Sequence, residues 1–354
     1  MLRLYTCFLA LLSLTSLAEE SVYPGYTWLD LGDGIYLHSQ SDPLSGPVDG
    51  NSVVVIGDAG VMVIDTHINP AVARAVIAKI RSLTDVPVTY IVNTHWHDDH
   101  TNGNHEYRKA FPELKIVSHQ LTLKSLREEW EPMEEERREA YATVDISALL
   151  AVAADLEPED PVRAISYRVY AGYVEALRPE LAAMTLEYPD TVFSESLTVG
   201  LGGRDVELRF LGRGNTDGDI IAWLPRERLV ITGDILVAPV PFAFDSPLTD
   251  WVETLDAIEA LDAATIIPGH GPVQDDVSYL RSVRGLLADT LAKVRDAREA
   301  GVDYAALEDA VDLAETAARF TNGDAQHEFA WQSYYLNPGL KSAWASLGYP
   351  VPEE

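Results

Sequence analysis

The chain has a single cysteine, Cys7, in 354 residues. One thiol forms no internal disulfide and no thiolate metal cluster, so both are excluded. At this length a chain can bury a core large enough to stand without cross-links. Positive charge is scarce as well: 26 Lys and Arg face 56 Asp and Glu, for a net charge of −30. Such a surface repels phosphate backbones and anionic headgroups, which argues against nucleic acid or an anionic membrane as partner. A small-molecule substrate is the expected partner, and the oligomeric state is left open. Low-complexity tracts and short-period repeats are absent too. What remains is an ordinary globular balance, 47% apolar and 23% charged. The excess acid reads as a solubility feature, or as an adaptation to salt.

The first residues read as an export signal. Arg3 gives a positive start, and Phe8-Leu9-Ala10-Leu11-Leu12 is the centre of an apolar stretch. Ser16-Leu17-Ala18 then sets small residues at the −3 and −1 positions of a cut after Ala18. The stretch is too short to span a bilayer, so no stable membrane insertion is expected after its removal. It contains Cys7, which leaves the mature chain without cysteine. The expected location is the periplasm or the exterior.

From Tyr26 to Thr66 short β patterns dominate: Gly34–His38, Ser52–Ile56 and Val61–Asp65, separated by Gly and Asp turns. Pro70–Leu83 reads as a helix with proline in its first turn after Asn69. Val88–Val92 is a buried strand. From Gln120 to Tyr188 the composition becomes charged, Ala-rich and helical, broken by Pro158, Pro161 and Pro179. That is long for a plain connection and reads as a helical insertion, either a lid or a solvated helix pair. Strand patterns return at Ser196–Val199, Asp205–Leu211, Ile220–Leu224 and Leu229–Thr232. A helix over Asp250–Leu261 leads into Thr265-Ile266-Ile267-Pro268, and residues from Asp276 onward are mostly helical. Strand clusters with interleaved helices make this an α/β sandwich with helical additions.

The chemistry is carried by His95-Trp96-His97-Asp98-Asp99-His100, which leaves the strand Val88–Val92. In extended chain, positions 95, 97 and 99 point to one side, and a turn can return His100 to the same point. Neutral imidazoles and a carboxylate suit zinc and similar metals. Thr232-Gly233-Asp234 and Pro268-Gly269-His270-Gly271 each follow an apolar run in the same way. Each alone is a weak signal; together they point to convergence on one rim.

HWHDDH, TGD and PGHG in this order resemble the metallo-β-lactamase superfamily, over residues 26–119 and 190–275. The resemblance implies an αββα sandwich, to which the composition adds a helical insertion and C-terminal helices. With the export signal and the changes of composition, the chain divides into a signal peptide at 1–18, the sandwich at 19–275 with its insertion at 120–188, and a helical extension at 276–354. The resemblance also implies one or two zinc ions at one edge: His95 and His97 on the first, Asp99, His100 and His270 on the second, and Asp234 between them. One position departs. Where the family segment corresponding to Gly212–Asp219 supplies a further histidine to the first metal, this chain has Asn215. A carboxamide oxygen is a weaker zinc ligand than imidazole, so Asn215 is a doubtful ligand and the first metal is expected to bind less tightly.

A metal of this kind lowers the pKa of a bound water toward 7 and so supplies hydroxide for attack on a carbonyl carbon. Asp99 is the candidate to orient that water and take its proton. Among the family's activities, acidity and export disfavour a nuclease. A β-lactamase or a glutathione thioesterase needs a cation for its anionic substrate. No lysine occurs from Ser125 to Ala292, and Arg213 is read as a stand-in. The expected reaction is hydrolysis of an uncharged or weakly charged ester, lactone or amide, with β-lactams as a further option. Two other classes stay open: an exported metal-binding accessory protein of an oxidoreductase system, motivated by Asn215, and an iron-dependent oxygen-using enzyme on the same fold. His67 is read as a supporting residue near the site or as a purely structural histidine. His105 and His119 are read likewise, or as surface residues. The aromatic stretch around His327, with Phe329, Trp331, Tyr334 and Tyr335, is read as core of the C-terminal helices.

Overall fold

The computed structural model describes residues 19–352 except 22–23, 45–47, 181–183 and 245. The export segment Arg3–Ala18 lies outside the described residues. Two β-sheets face each other. The first has eight strands in sequential order, from Glu19–Glu20 through Tyr26–Gly32, Ile35–Gln40, Ser52–Ile56, Val61–Ile64, Val88–Val92 and Lys115–His119 to Thr191–Phe193. Its pairing is antiparallel up to Val61–Ile64 and parallel beyond. The second has five strands, Ser196–Gly200, Asp205–Arg209, Ile221–Leu224, Leu229–Ile231 and Thr265–Ile267, with only the last pair parallel.

Runs such as Val53-Val54-Val55 are apolar throughout because both faces of the sheet are covered. Val53, Val55, Met62 and Ile64 point inward onto Val206, Leu208, Ala222 and Ile231 of the second sheet. Val54 and Val63, one residue out of phase, point outward onto the helix Pro70–Leu83. That helix starts where Asn69 accepts a hydrogen bond from the Ala71 amide, and Val72, Ala73, Val76, Ile77 and Ile80 form its buried stripe. Beyond the second sheet, Leu248–Glu259 and Ser278–Glu299 pack Trp251, Leu255, Val283 and Leu287 on Trp223, Val230 and Ile266. Each such fully buried side chain contributes about 1.5–3 kcal/mol. The layers are therefore helix, sheet, sheet, helix.

The strands Lys115–His119 and Thr191–Phe193 were not marked by the sequence pattern. Both are short, and the first alternates too little for a period-two signal because it is buried between parallel neighbours. Between them run the helices Gln120–Ser125, Glu131–Thr143, Ile146–Leu156 and Pro161–Leu177, with a wider turn at Leu126–Trp130. Pro161 occupies a first helical turn, as a proline should.

Candidate metal centre

The parallel strand Val88–Val92 releases the chain at Asn93, and a short turn of helix follows at Asp98–Thr101. That turn regroups the motif. His95 and His97 stay together, whereas Asp99 swings away with His100, so 95, 97 and 99 do not share a side as extended chain would require. Two groups result: His95, His97 and Asp234, and Asp99, His100 and His270, each with ligand atoms within 4.8 Å of one another. His95 Nε2 and His97 Nδ1 are 3.0 Å apart. His100 Nε2 lies 3.3 Å from His270 Nε2, 3.3 Å from Asp99 Oδ2 and 3.2 Å from Asp234 Oδ1. Asp99 Oδ2 is 3.0 Å from His270 Nε2. Asp234 sends Oδ2 toward His95, at 3.8 Å, and Oδ1 toward His100 and His270. One carboxylate thus faces both groups.

The surroundings hold these atoms in place. Asp65 takes a left-handed backbone conformation, φ +59°, just past the strand Val61–Ile64. Its carboxylate accepts from the Thr94 amide (2.8 Å) and Thr94 Oγ1 (2.7 Å) and sits 2.8 Å from His100 Nδ1. This fixes the ring so that Nε2 faces the cluster. Asn51 donates from Nδ2 to the carbonyls of Pro268 and Gly271, both at 2.9 Å, tying the loop that carries His270 to the first sheet. Two glycines permit the close approach. A Cβ on Gly50 would meet the His100 ring at 2.5 Å, and one on Gly269 would meet Asp234 Oδ1 at 2.0 Å. Of these, Gly269 alone stands in a motif quoted from the sequence, and there for its neighbour His270; Asp65, Asn51 and Gly50 were not singled out. A partner 35 or more residues away leaves no local spacing signal.

Burial depresses the imidazoles of His95 and His97, which keeps them neutral. Burial pulls His100 and His270 the same way, but Asp99 and Asp234 outweigh it. His100 is held well above the ordinary imidazole range and His270 up at about 9. Asp234 is held well below the usual carboxylate range: burial raises it, and the three surrounding imidazoles more than offset that. Its Oδ1 is buried without a well-directed hydrogen-bond donor. A dense cluster of imidazole nitrogens and carboxylate oxygens, one of them without a well-directed donor, fits a divalent cation of zinc type.

Asn215 is buried beside this cluster. Its Nδ2 donates to the Phe242 carbonyl at 2.6 Å, while Oδ1 is buried with no hydrogen-bond partner. Arg213, the stand-in cation for an anionic substrate, is half-exposed and pairs with Asp250 and Asp217. His67 is fully buried; its Nε2 lies 2.8 Å from His38 Nδ1 and its Nδ1 3.1 Å from Asp49. His105 and His119 are also buried, which removes the surface reading for both. His105 packs by Asn102 and Glu106, and His119 stacks flat on Phe210 at 4.2 Å. Among the C-terminal aromatics Phe329, Trp331 and Tyr335 are core, but Tyr334 lines a hollow at the cluster. The helical insertion reaches the same edge: Tyr173 lines that hollow, and Arg137 pairs with Asp98 while stacking 4.4 Å over Trp130.

Comparison with known proteins agrees with this architecture. The model of the metallo-beta-lactamase superfamily matches residues 45–270. A metallo-beta-lactamase type 2 of Bacteroides fragilis is 22% identical over 250 residues, 68% of this chain and 77% of that protein. A linear primary-alkylsulfatase of a Pseudomonas species is 24% identical over 246 residues, 67% of this chain but only 44% of that protein. Among solved structures, the metallo-beta-lactamase from Pontibacter korlensis superposes with a TM-score of 0.50 at 18% identity, over 74% of this chain and 99% of the other. A DIM-1 metallo-beta-lactamase does so at 0.51 and 16%, over 76% and 99%. At such identities the structural likeness speaks for the fold alone.

Proposed function

The chain belongs to the metallo-β-lactamase superfamily, and from that premise we propose that it is an exported, zinc-dependent hydrolase of an ester, lactone or amide. The observation that carries the proposal is the paired grouping of His95, His97 and Asp234 beside Asp99, His100 and His270, with the Asp234 carboxylate facing both. In this reading the first group, with Asn215 as a weak addition, holds one ion, and the second group holds the other. A bound zinc polarises a carbonyl oxygen and lowers the pKa of water, the chemistry that acyl hydrolysis needs.

The chain's own residues do the rest. Asp65 holds the His100 ring with Nε2 inward. Asn51 holds the loop of His270. Asp99 lies at the rim with its side chain 14% exposed, against 2% or less for Asp234 and His100, so of the two carboxylates in the metal groups it is the one that can meet a water. Export rests on the Arg3–Ala18 pattern, and no helix among the described residues is long and apolar enough to cross a membrane. Mass spectrometry of the protein from its native host should find a chain beginning at Glu19; a chain beginning at Met1 refutes export.

Metal analysis of the purified protein together with a screen of esters, lactones, amides and β-lactams tests the function. Zinc with turnover of a carbonyl substrate is the expected result. Zinc without turnover of any of them favours the accessory role, and iron with oxygen consumption favours the oxygenase.

A further inference from the structure

Two hollows open at the metal edge, and both reach His97 and Phe244. The first, about 230 Å³, is lined by Val48, Tyr173, Phe242, Phe244 and Tyr334 above His97, Asp99 and Asp234. Its rings form a continuous wall: Phe242 and Tyr334 are 4.8 Å apart, Phe244 and Tyr334 5.7 Å, and Phe242 reaches His270 at 5.2 Å. The second, about 510 Å³, is lined by Trp96, Ser125, Glu129, Met133, Asn215 and Asp217 beside His97. Phe244, 40% exposed, stands where the two meet.

Charge is distributed unevenly around them. The nearby cations are already engaged: Arg137 by Asp98, and Arg213 by Asp217 and Asp250. Glu129 and Asp217 put carboxylates on the rim of the second hollow. The aromatic hollow has no side-chain cation in its lining. Apart from the ions themselves, an anionic limb would find no Lys or Arg in the lining of either hollow, and specificity is built by such unpaired groups as much as by attraction. An apolar limb in the first hollow gains ring contact with little left to desolvate.

We propose that this site selects a two-limbed, uncharged carbonyl compound, with an apolar or aromatic limb against Phe242, Phe244 and Tyr334 and the other limb beside Trp96 and Met133, and that it rejects anions. The inference rests on the hydrolase reading and adds the substrate class. Much of the selection comes from outside the sandwich, since Tyr173 and Met133 belong to the helical insertion and Tyr334 to the C-terminal helices.

The test has a binding arm and a turnover arm, both on the zinc-loaded full chain. Ligand-observed NMR titration compares benzyl alcohol with benzenesulfonate, a weak metal ligand of similar size. The neutral probe should bind at least about tenfold more tightly, and Phe244→Ala should remove most of that preference. In the turnover arm phenyl acetate should exceed 4-sulfophenyl acetate at least about tenfold in kcat/KM. Phe244→Ala should lower the ratio of phenyl acetate to methyl acetate by at least about tenfold, mainly through KM. Equal or tighter binding of the sulfonate, or a Phe244→Ala variant with both preferences intact, overturns the inference. A retained binding preference with no ester turned over supports the selectivity of the hollows and sinks the hydrolase reading instead, so the two failures are distinguishable.

Discussion

Replacing Asp65 with Asn should loosen zinc without disturbing the backbone. Asp65 sits at φ +59°, a conformation that Asn tolerates about as well as Asp, and the two side chains have the same shape. The Thr94 amide keeps its acceptor in Oδ1. What changes is the atom 2.8 Å from His100 Nδ1. A carboxylate oxygen accepts the Nδ1 proton, so the ring can give up its other proton and offer Nε2 to the metal. A carboxamide NH₂ in its place donates instead, so the neutral ring must carry its proton on Nε2, the ligand atom. A hydrogen bond to a charged group contributes about 1.5–3 kcal/mol. That range corresponds to roughly 10–150-fold in an equilibrium constant, and outer partners of metal ligands are typically worth about 10–100-fold. The zinc dissociation constant of Asp65→Asn should therefore rise by about 10–100-fold in competition with a chromogenic chelator. With zinc in excess, a 100-fold loss removes about 2.7 kcal/mol of linked stability, visible as a smaller zinc-induced rise in Tm. The metal-free variant should unfold within about 1 kcal/mol of the parent, a typical margin for an isosteric change whose backbone acceptor survives. A zinc affinity within about threefold of the parent would show that Asp65 does not set the ring of His100.

Asn215→His should tighten the weaker of two zinc ions by at least about tenfold in calorimetric titration, since one ring nitrogen can still serve the Phe242 carbonyl while the other joins His95 and His97; no tightening would remove Asn215 from the ligand set. Zinc uptake should release protons, because His270 at about 9 and His100, held well above the ordinary imidazole range, carry them in the metal-free chain. Apparent affinity should thus climb with pH toward 9, by up to about tenfold per unit for each proton displaced, and a flat profile between pH 6.5 and 9 would contradict it. The same raised pKa values stabilise the metal-free chain below the ordinary imidazole pKa, and that contribution should be lost as pH rises through about 9, measured as a falling Tm. Gly269→Ala forces a methyl to within 2.0 Å of Asp234 Oδ1, so it should cost about 1–3 kcal/mol in denaturant unfolding and lower the metal content; a variant with full metal and unchanged midpoint would refute that packing.

The parts of the site legible in the sequence are those compressed into a few residues at the end of an apolar run. His95, His97, Asp99 and His100 share one loop, and Asp234 and His270 each follow a strand by a few residues. The helix Pro70–Leu83 was legible at both ends because Asn69 and Pro70 mark its start and the apolar stripe runs out at Ile80. Long-range partnerships were not legible. Asp65 and His100 meet across 35 positions, and Asn51 meets Pro268 across 217. Tyr334 shows a finer limit. It lies among Phe329, Trp331 and Tyr335, which are core, and composition alone cannot say which ring of such a group turns toward the metal edge. The grouping of Asp99 with His100 instead of with His95 and His97 depends on the helical turn Asp98–Thr101, too short to leave a periodic signal.

His100 and His270, 170 positions apart, meet at 3.3 Å. During synthesis, or while the chain is threaded through a narrow pore, no fragment ending before residue 270 possesses the second set of donors. The complete set of donors comes together only after the two sheets have closed on each other, so an ion held by all of them is captured at that point. For an exported chain, the compartment in which folding finishes, and not the one in which translation begins, therefore sets the metal pool from which the centre is filled.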